Sequence, residues 1–220
     1  MNKRSVVVTD QIYHVFNRTV GNEPLFPSKR EFNRFLELVA YYRFPQRFKY
    51  SKYKKLSVEQ KNDYLEEFSK LKPLIEIYAF ALMPNHYHFL LKQNQDNGIK
   101  TFISNIQNGF AKYINTKFDR HGGLFQNTFK RKWIGTDEEL LHVSRYIHLN
   151  PVTAYIVNFN YLLSDVATSF RNYVNEDRNG FINIDVILSL IGGSKKYKKF
   201  VEDQVSYQRE LDKIKHLIIE

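Results

Sequence analysis

Residues 74–91, Leu-Ile-Glu-Ile-Tyr-Ala-Phe-Ala-Leu-Met-Pro-Asn-His-Tyr-His-Phe-Leu-Leu, decide the fold of this chain. The run 74–83 is almost continuously apolar, as is typical of a strand that is buried on both faces. Pro84-Asn85 supplies a turn, and the segment 86–91 returns with strand-like composition. The pattern predicts a central β-hairpin with two histidines just beyond its turn.

The two histidines of the hairpin follow the spacing of one strand face. Alternate side chains of a strand point the same way, so His86 and His88 share a face while Tyr87 points into the packing. Two imidazoles roughly 7 Å apart can chelate one divalent ion. Taken alone, the same spacing also suits ordinary surface histidines or hydrogen-bonded core histidines.

Strands and helices are predicted on both sides of the hairpin from hydrophobic periodicity and helix-capping signals. The other predicted elements are a strand over 11–17, a helix from 28 to about 43, a polar helix from 57 to about 71, a helix from 99 to about 118, a loop and strand within 124–134, and a helix from 136 to about 149. We interpret Asn150-Pro151 as the end of the last helix. The tail from Ser164 has helical periodicity, broken near 175–180 and again at 192–193.

Composition limits the class of protein. The chain has 220 residues, 43% of them hydrophobic, and fits one compact domain or one domain with an appendage. With no cysteine, disulfides, thiol nucleophiles, Cys-ligated zinc and iron–sulfur clusters are excluded. No window approaches the ~18 apolar residues of a membrane span, and we expect a cytoplasmic protein without a membrane partner.

The net charge of +10 is clustered in the sequence, and aromatic residues are interleaved with the cations. The basic clusters are Arg47, Lys49, Lys52, Lys54 and Lys55, then Arg120, Lys130, Arg131 and Lys132, and finally Lys195, Lys196, Lys198 and Lys199. Such a composition suits a surface that neutralises phosphates and stacks bases. The alternative is a solvated basic face without a nucleic-acid partner.

A tyrosine lies in the helix that follows the hairpin. Phe102, Ile106, Phe110 and Tyr113 recur three or four residues apart, which predicts that Tyr113 shares the apolar face that packs against the sheet. A tyrosine there is either plain core or a phenol held beside a metal. A phenolate, a divalent metal and a basic surface would together form a phosphodiester-cleaving site.

The segment 84–91 resembles the His-hydrophobe-His motif of the single-tyrosine HUH transposases, the IS200-like group, and in particular their REP-associated tyrosine transposase branch. Further segments similar to that branch occur in the expected order and span most of the chain. They are Tyr13-His14-Val15-Phe16-Asn17-Arg18, Gly123-Leu124-Phe125-Gln126, Tyr146-Ile147-His148-Leu149-Asn150-Pro151-Val152 and Tyr197-Lys198-Lys199-Phe200-Val201.

The resemblance implies a ferredoxin-like α+β core with a central, mainly antiparallel sheet flanked by helices. It implies a transposase domain over 1–160 with a basic helical insertion near 47–72, and a helical C-terminal extension over 161–220. His86 and His88 would bind Mg²⁺ or Mn²⁺, and Tyr113 would cleave and rejoin single-stranded DNA at hairpin-associated sites through a 5′-phosphotyrosine link. The chain would act as a monomer or a homodimer.

One position departs from the family pattern. The family commonly completes the metal shell with Gln or Asn four residues after the tyrosine, where this chain has Lys117. Protonated lysine is a poor metal ligand, although it could hold a phosphate or act on the Tyr113 phenol. Gln107 or water could supply the third ligand. The departure keeps a second function open, a domesticated protein that binds structured single-stranded DNA or RNA without cutting it.

Several other side chains are candidates for DNA contact. They are His14, Asn17 and Arg18 at the end of the first strand, and Arg120, Phe125, Lys130, Arg131 and Lys132 after the tyrosine helix. For the first group a strand-end hydrogen-bond network is the alternative. A third reading of the chain, a His-chelated metal-binding protein unrelated to DNA, would leave the basic clusters unexplained.

Overall fold

A computed structural model describes residues 7–163, 167–177 and 180–205. The strands are β1 (Ile12–Arg18), β2 (Ile75–Met83), β3 (His86–Gln93) and β4 (Lys130–Ile134). The α-helices are α1 (Lys29–Tyr42), α2 (Tyr50–Tyr53), α3 (Val58–Ser69), α4 (Gly98–Phe118), α5 (Asp137–Thr153), α6 (Phe170–Val174), α7 (Asp185–Ile191) and α8 (Ser194–Glu202). The helical periodicity predicted beyond residue 205 lies outside the described residues.

The strands form one open antiparallel sheet in the order β2-β3-β1-β4. β2 is buried along almost its whole length, as its continuous apolar sequence predicts. β1 pairs with β4 so that Ile12 lies opposite Ile134 and Phe16 opposite Lys130. The predicted α+β class, with a central antiparallel hairpin and C-terminal helices, is confirmed.

Contacts along the chain divide it into two compact units. The first contains 17–76 and 92–129 with the chain up to Gln11, and therefore holds α1 to α4. The second contains 12–16, 77–91 and the chain from Lys130 onward, and therefore holds most of the sheet and α5 to α8.

The first unit has its core between α1 and α4. Phe35 of α1 and Phe110 of α4 are both fully buried and meet edge to face, with ring centroids 5.1 Å apart. The same unit contains α3, which begins with a pair of capping hydrogen bonds. Gln60 N–H donates to Ser57 Oγ (3.1 Å) and Ser57 N–H donates to Gln60 Oε1 (3.0 Å). This reciprocal cap fixes the start of α3, as its spacing predicts.

The second unit buries a polar network among its C-terminal helices. His148 of α5 contacts Ser169 Oγ (2.7 Å) and the hydroxyl of Tyr197 (2.8 Å), and all three side chains are fully buried. Burial lowers the pKa of His148 to about 3, so the ring is neutral. The network joins α5 and α8 to the segment that precedes α6.

The prediction that Asn150-Pro151 ends the helix that begins near residue 136 is wrong. α5 continues through Pro151 to Thr153. Proline removes the bond that its own nitrogen would donate and crowds the carbonyl four residues earlier, but the following turn is still closed by Ala154 N–H donating to Asn150 C=O at 3.0 Å. The side-chain amide of Asn150 also donates to Tyr146 C=O at 3.2 Å. These bonds carry the helix past the proline.

Among the described helices, none combines the length and the apolar character that crossing a membrane would require.

Candidate functional site

A cluster of three histidines lies on one face of the sheet in the second unit. His14 of β1 and His88 of β3 face each other across neighbouring strands, with His14 Nε2 and His88 Nδ1 2.9 Å apart. The rings of His86 and His88 lie 5.0 Å apart, centroid to centroid, as alternate residues of one strand. His88 is buried and His86 half-buried. The structure therefore brings the predicted pair together with His14.

The Nδ1 atoms of the predicted metal pair both have partners. His86 Nδ1 is 2.7 Å from Asn85 Oδ1, and His88 Nδ1 faces His14. A metal-binding histidine commonly uses one nitrogen for the metal and the other for an orienting hydrogen bond. His86 and His88 each make a contact of the orienting kind through Nδ1. No set of three or more His, Cys, Asp or Glu placed to hold a metal occurs among the described residues.

Two lysines of β4 lie on the histidine face of the sheet. Lys132 pairs with His14 and Lys130 with Phe16, whereas Arg131 pairs with Val15 and so points to the other face. Burial and the charge of Lys132 lower the pKa of His14 to about 4, which keeps this imidazole neutral. The three neighbouring cations predicted as one DNA-binding cluster are thus divided between the two faces.

Tyr146 of α5 is the tyrosine that contacts the histidine cluster. Its ring stands edge-on to His14 and to His88, at 5.9 Å from each centroid. The side chain is 37% exposed, so its phenol is accessible from solvent. The sequence marks this residue only as part of a segment similar to the transposase branch, without a role.

Tyr113 lies on α4 in the first unit and is half-buried. Ile114, rather than Tyr113, continues the fully buried stripe of α4, so the predicted place of Tyr113 on that stripe is wrong. A helix advances about 100° per residue, and Tyr113 falls at the border of the apolar face. There its hydroxyl donates a hydrogen bond of 2.9 Å to Glu31 Oε1 on α1.

Glu31 is a buried carboxylate, 1% exposed, that binds three donors. Tyr113 and Lys117 both donate to Oε1, and Ser28 Oγ donates to Oε2 at 2.5 Å. Burial raises the pKa of Glu31, but the hydrogen bonds from Lys117, Ser28 and Tyr113 and the Lys117 charge outweigh it and bring the pKa down to about 2. Glu31 is therefore ionised at neutral pH.

A pocket of about 740 Å³ opens beside Tyr113 between α1, α2 and α4. Its basic lining residues are Arg34, Lys49, Lys54, Lys55, Lys112 and Lys117, and its aromatic lining residues are Tyr42, Tyr50 and Tyr113. Within the described chain no carboxylate lines it. The predicted cluster over 47–55 thus supplies half of the pocket's cations.

Arg34 connects the pocket wall to the tyrosine. Its guanidinium carbon lies 5.1 Å from the ring centroid of Tyr113 and 5.2 Å from that of Tyr50. Glu37 holds it with an ion pair at 3.3 Å. An arginine between two aromatic rings keeps its planar N–H groups in a fixed orientation, as recognition of a phosphate requires.

The remaining predicted residues lie in the first unit. Asn17 Nδ2 donates to Gln126 C=O at 3.0 Å and Asn17 Oδ1 accepts from Arg18 N–H, so the strand-end network is present, while the Arg18 side chain is exposed. Phe125 is buried, Arg120 pairs with Glu23, and Gln107 is half-buried on α4. A role for any of them in binding remains a prediction.

Sequence reasoning missed Glu31 and Arg34 as site residues. Glu31 follows Ser28 at capping-box spacing, which indicates only the start of a helix, and Arg34 belongs to no motif. Their partner Tyr113 is 82 residues from Glu31 along the chain, and no local pattern encodes such a pairing. A buried acid in the first turn of a helix is the signal that would have drawn attention to this position.

Comparison with known proteins assigns the chain to a class. The model of the family described as "Transposase IS200 like" matches residues 40–150, half of the chain, including His86, His88 and Tyr113. The chain belongs to the IS200-like transposase family, as its motifs predict. No curated protein matches the chain significantly.

A solved structure shares the fold. It is that of a REP-associated tyrosine transposase bound to a REP hairpin, similar over 84% of this chain and 90% of that chain, with a TM-score of 0.55 and 16% sequence identity. At this identity the match concerns the fold.

Proposed function

We propose that this chain is a REP-associated type of tyrosine transposase that cleaves and rejoins single-stranded DNA at hairpin-associated sites. Tyr113 is the proposed nucleophile, and His86 and His88 are the proposed ligands of Mg²⁺ or Mn²⁺. The transposase domain would extend over 1–160, with a C-terminal helical extension over 161–220. The DNA hairpin bound by the solved relative supports the choice of substrate.

The observation that carries the proposal is the setting of Tyr113. Its phenol is fixed by Glu31 at the edge of a pocket with six basic side chains. A phosphodiester brought there meets a nucleophilic oxygen of defined orientation and cations that neutralise its charge. A tyrosine that served only the core would have no need of this surface.

The proposed cleavage step conserves the phosphodiester energy. The Tyr113 oxygen forms a bond to phosphorus as the P–O3′ bond breaks, the phenol loses its proton and the 3′-oxygen gains one. The product is a 5′-phosphotyrosine and a free 3′-OH, which attacks to rejoin the strand. The reaction therefore requires neither ATP nor a nucleotide cofactor.

The proposed metal ligands belong to the second unit and are supported by their own surroundings. Asn85 orients His86, and His14 orients His88. A divalent ion bound there would polarise a non-bridging phosphate oxygen. Lys117 donates to Glu31 and so has a role other than metal ligation, and solvent would complete the shell. Lys130 and Lys132, on the same face as His14, would bind the DNA backbone.

A second function, binding of structured single-stranded DNA or RNA without cleavage, is favoured by one observation. Glu31 accepts from the Tyr113 hydroxyl and is ionised. In that bond the Tyr113 hydroxyl is directed at a buried negative charge, which repels an approaching phosphate and so opposes attack. A chain locked in this state would bind DNA and leave it intact.

The test is formation of a covalent protein–DNA species on end-labelled, hairpin-containing single strands, with Mg²⁺ or Mn²⁺ and with EDTA. We expect an adduct with the wild-type chain that requires metal and disappears in Tyr113→Phe. Tyr146→Phe is the matched control, because Tyr146 is also an accessible tyrosine and contacts His88.

Each outcome assigns a function. An adduct that survives in Tyr113→Phe and disappears in Tyr146→Phe would refute Tyr113 as the nucleophile. Tight, salt-sensitive binding of the same DNA with no adduct in the wild-type chain would establish the non-cleaving function instead.

A further inference from the structure

We propose that the pocket between α1, α2 and α4 binds the nucleotide on the 3′ side of the cleaved bond, the one that stays attached to the protein. The inference rests on the proposed function of Tyr113. It assigns to this pocket a task that is separate from recognition of a hairpin, namely holding the covalent product for rejoining.

The size and lining of the pocket suit a nucleotide. Its volume of about 740 Å³ falls within the range of roughly 300–1,000 Å³ usual for ligand pockets. Leu38 and Tyr42 form an apolar, buried part of the wall, and Gly109 leaves that part without a side chain of its own. Any of the nucleobases can lie against such a wall.

The charge of the pocket indicates an anionic occupant. Lys54 and Lys55, both exposed, line the pocket from the turn that follows α2, and Lys112 and Lys117 line it from α4. Two acids that contact the lining residues are already bound: Glu31 accepts from Lys117 and Tyr113, and Glu37 accepts from Tyr50 at 2.9 Å. The six basic side chains of the pocket therefore outnumber these two carboxylates, and an anionic ligand would balance the remaining positive charge. A nucleotide combines a phosphate anion with a base that can pack against the apolar wall.

The chemistry selects which nucleotide. When the Tyr113 oxygen bonds to phosphorus and the P–O3′ bond breaks, the nucleotide on the 5′ side leaves with its free hydroxyl. The nucleotide on the 3′ side remains joined to Tyr113 through its 5′-phosphate. Tyr113 lines the pocket, so the attached nucleotide can stay in it while the other strand end departs or is exchanged.

The pocket can be tested with abasic substitutions on each side of the cleavage site. We expect removal of the base on the 3′ side to slow adduct formation by the wild-type chain roughly tenfold, the size of one lost stacking contact, and removal on the 5′ side to have a smaller effect. Ser51→Trp, which narrows the pocket from the exposed face of α2, should abolish the difference between the two substrates.

A charge variant gives a second measurement. The binding constant for the single strand falls as salt rises. In the double variant Lys54→Ala/Lys55→Ala, the magnitude of the slope of log binding constant against log salt should be smaller by about 1 to 2. Lys70→Ala with Lys72→Ala removes two exposed cations of the same unit that do not line the pocket, and should lower the slope less.

The outcomes separate this inference from the proposed function. If the wild-type chain forms no adduct on any substrate, the proposed function fails. If it forms an adduct but the 5′-side base matters more, or both abasic strands react like the intact one, the pocket assignment is overturned. Equal salt slopes in the two double variants would overturn it as well.

Discussion

The hydroxyl of Tyr113 and the carboxylate of Glu31 are joined by a 2.9 Å hydrogen bond between the end of α4 and the beginning of α1. Lys117 and Ser28 bind the same carboxylate. One buried acid therefore orients the proposed nucleophile and also pairs with Lys117, one turn further along α4.

Glu31→Ala should destabilise the chain by about 1–3 kcal/mol. The change leaves Lys117 without its ion-pair partner and removes the acceptor of two hydroxyl groups. An unsatisfied, partly buried donor costs about 1–3 kcal/mol. The free energy of unfolding in urea measures it. Glu66→Ala, whose carboxylate is 76% exposed and pairs with Lys70, is the control and should change it by less than about 0.5 kcal/mol. Equal effects would contradict the assigned role of Glu31.

The contribution of Glu31 should depend on pH in an acidic window. Its pKa is lowered in the folded chain from an ordinary 4.5 to about 2. The stabilisation is therefore complete above pH 4.5 and is lost as the pH falls through that range toward 2. The full difference corresponds to roughly 3 kcal/mol at 1.36 kcal/mol per pKa unit.

Comparison with Glu31→Gln isolates this effect from other carboxylates. The variant cannot ionise, so the difference in unfolding free energy between it and the wild-type chain should shrink as the pH is lowered from 5 to 2. A difference that stays constant with pH would show that Glu31 contributes through packing and not through its charge.

Replacing each of two glycines of α4 by alanine should change the stability of the chain in opposite directions. A Cβ at Gly109 would lie 3.5 Å from Leu38 and from Tyr42, an ordinary contact, so Gly109→Ala should stabilise by about 0.8–1.0 kcal/mol through helix propensity. A Cβ at Gly98 would lie 2.3 Å from the carbonyl oxygen of Leu74, so Gly98→Ala should destabilise. Thermal unfolding of the two variants checks both; the same sign in each would refute the packing of this helix.

Tyr197→Phe should cost about 1–3 kcal/mol. The buried hydroxyl donates to Ser144 Oγ at 2.9 Å and lies 2.8 Å from His148 Nδ1, and its removal leaves these buried groups short of a partner. Tyr161→Phe, at a 57% exposed side chain, is the matched control, with an expected change within about 0.5 kcal/mol. Urea unfolding of both variants measures the difference, which would vanish if the network added nothing.

Metal binding should prefer Mn²⁺ to Mg²⁺ and should depend on Asn85. Imidazole nitrogens suit transition metals better than they suit Mg²⁺. Asn85 Oδ1 orients His86, so Asn85→Ala should weaken Mn²⁺ binding roughly 10- to 100-fold, whereas Asn85→Asp keeps an acceptor and should bind nearly as tightly as the wild-type chain. Calorimetric titration with each metal gives the affinities directly.

The control for the metal experiment is His142→Ala. His142 is exposed on α5 and contacts Glu138 and Arg145, away from the predicted pair in sequence. Its replacement should leave the Mn²⁺ affinity unchanged. Retention of that affinity in His86→Ala would contradict the proposed site.

The local elements were predictable because local sequence encodes them. The apolar run of β2 and the turn at Pro84-Asn85 predict the hairpin, and alternation places His86 and His88 on one face. The end of α5 was not predictable in this way. A proline disfavours a helix on average, and whether the helix continues depends on the bonds that the next turn makes.

The sequence alone determined the periodic features of this protein: the hairpin, the helices with their caps, the histidine pair, the tyrosine and the excess of basic residues. Only the tertiary structure decided which side chains these residues meet. Glu31 reaches Tyr113 over 82 positions and His14 reaches His88 over 74. Periodicity fixes the face on which a side chain lies, but the partner of a buried polar group is set by how distant elements pack, and that packing makes Glu31 and Arg34 part of the site.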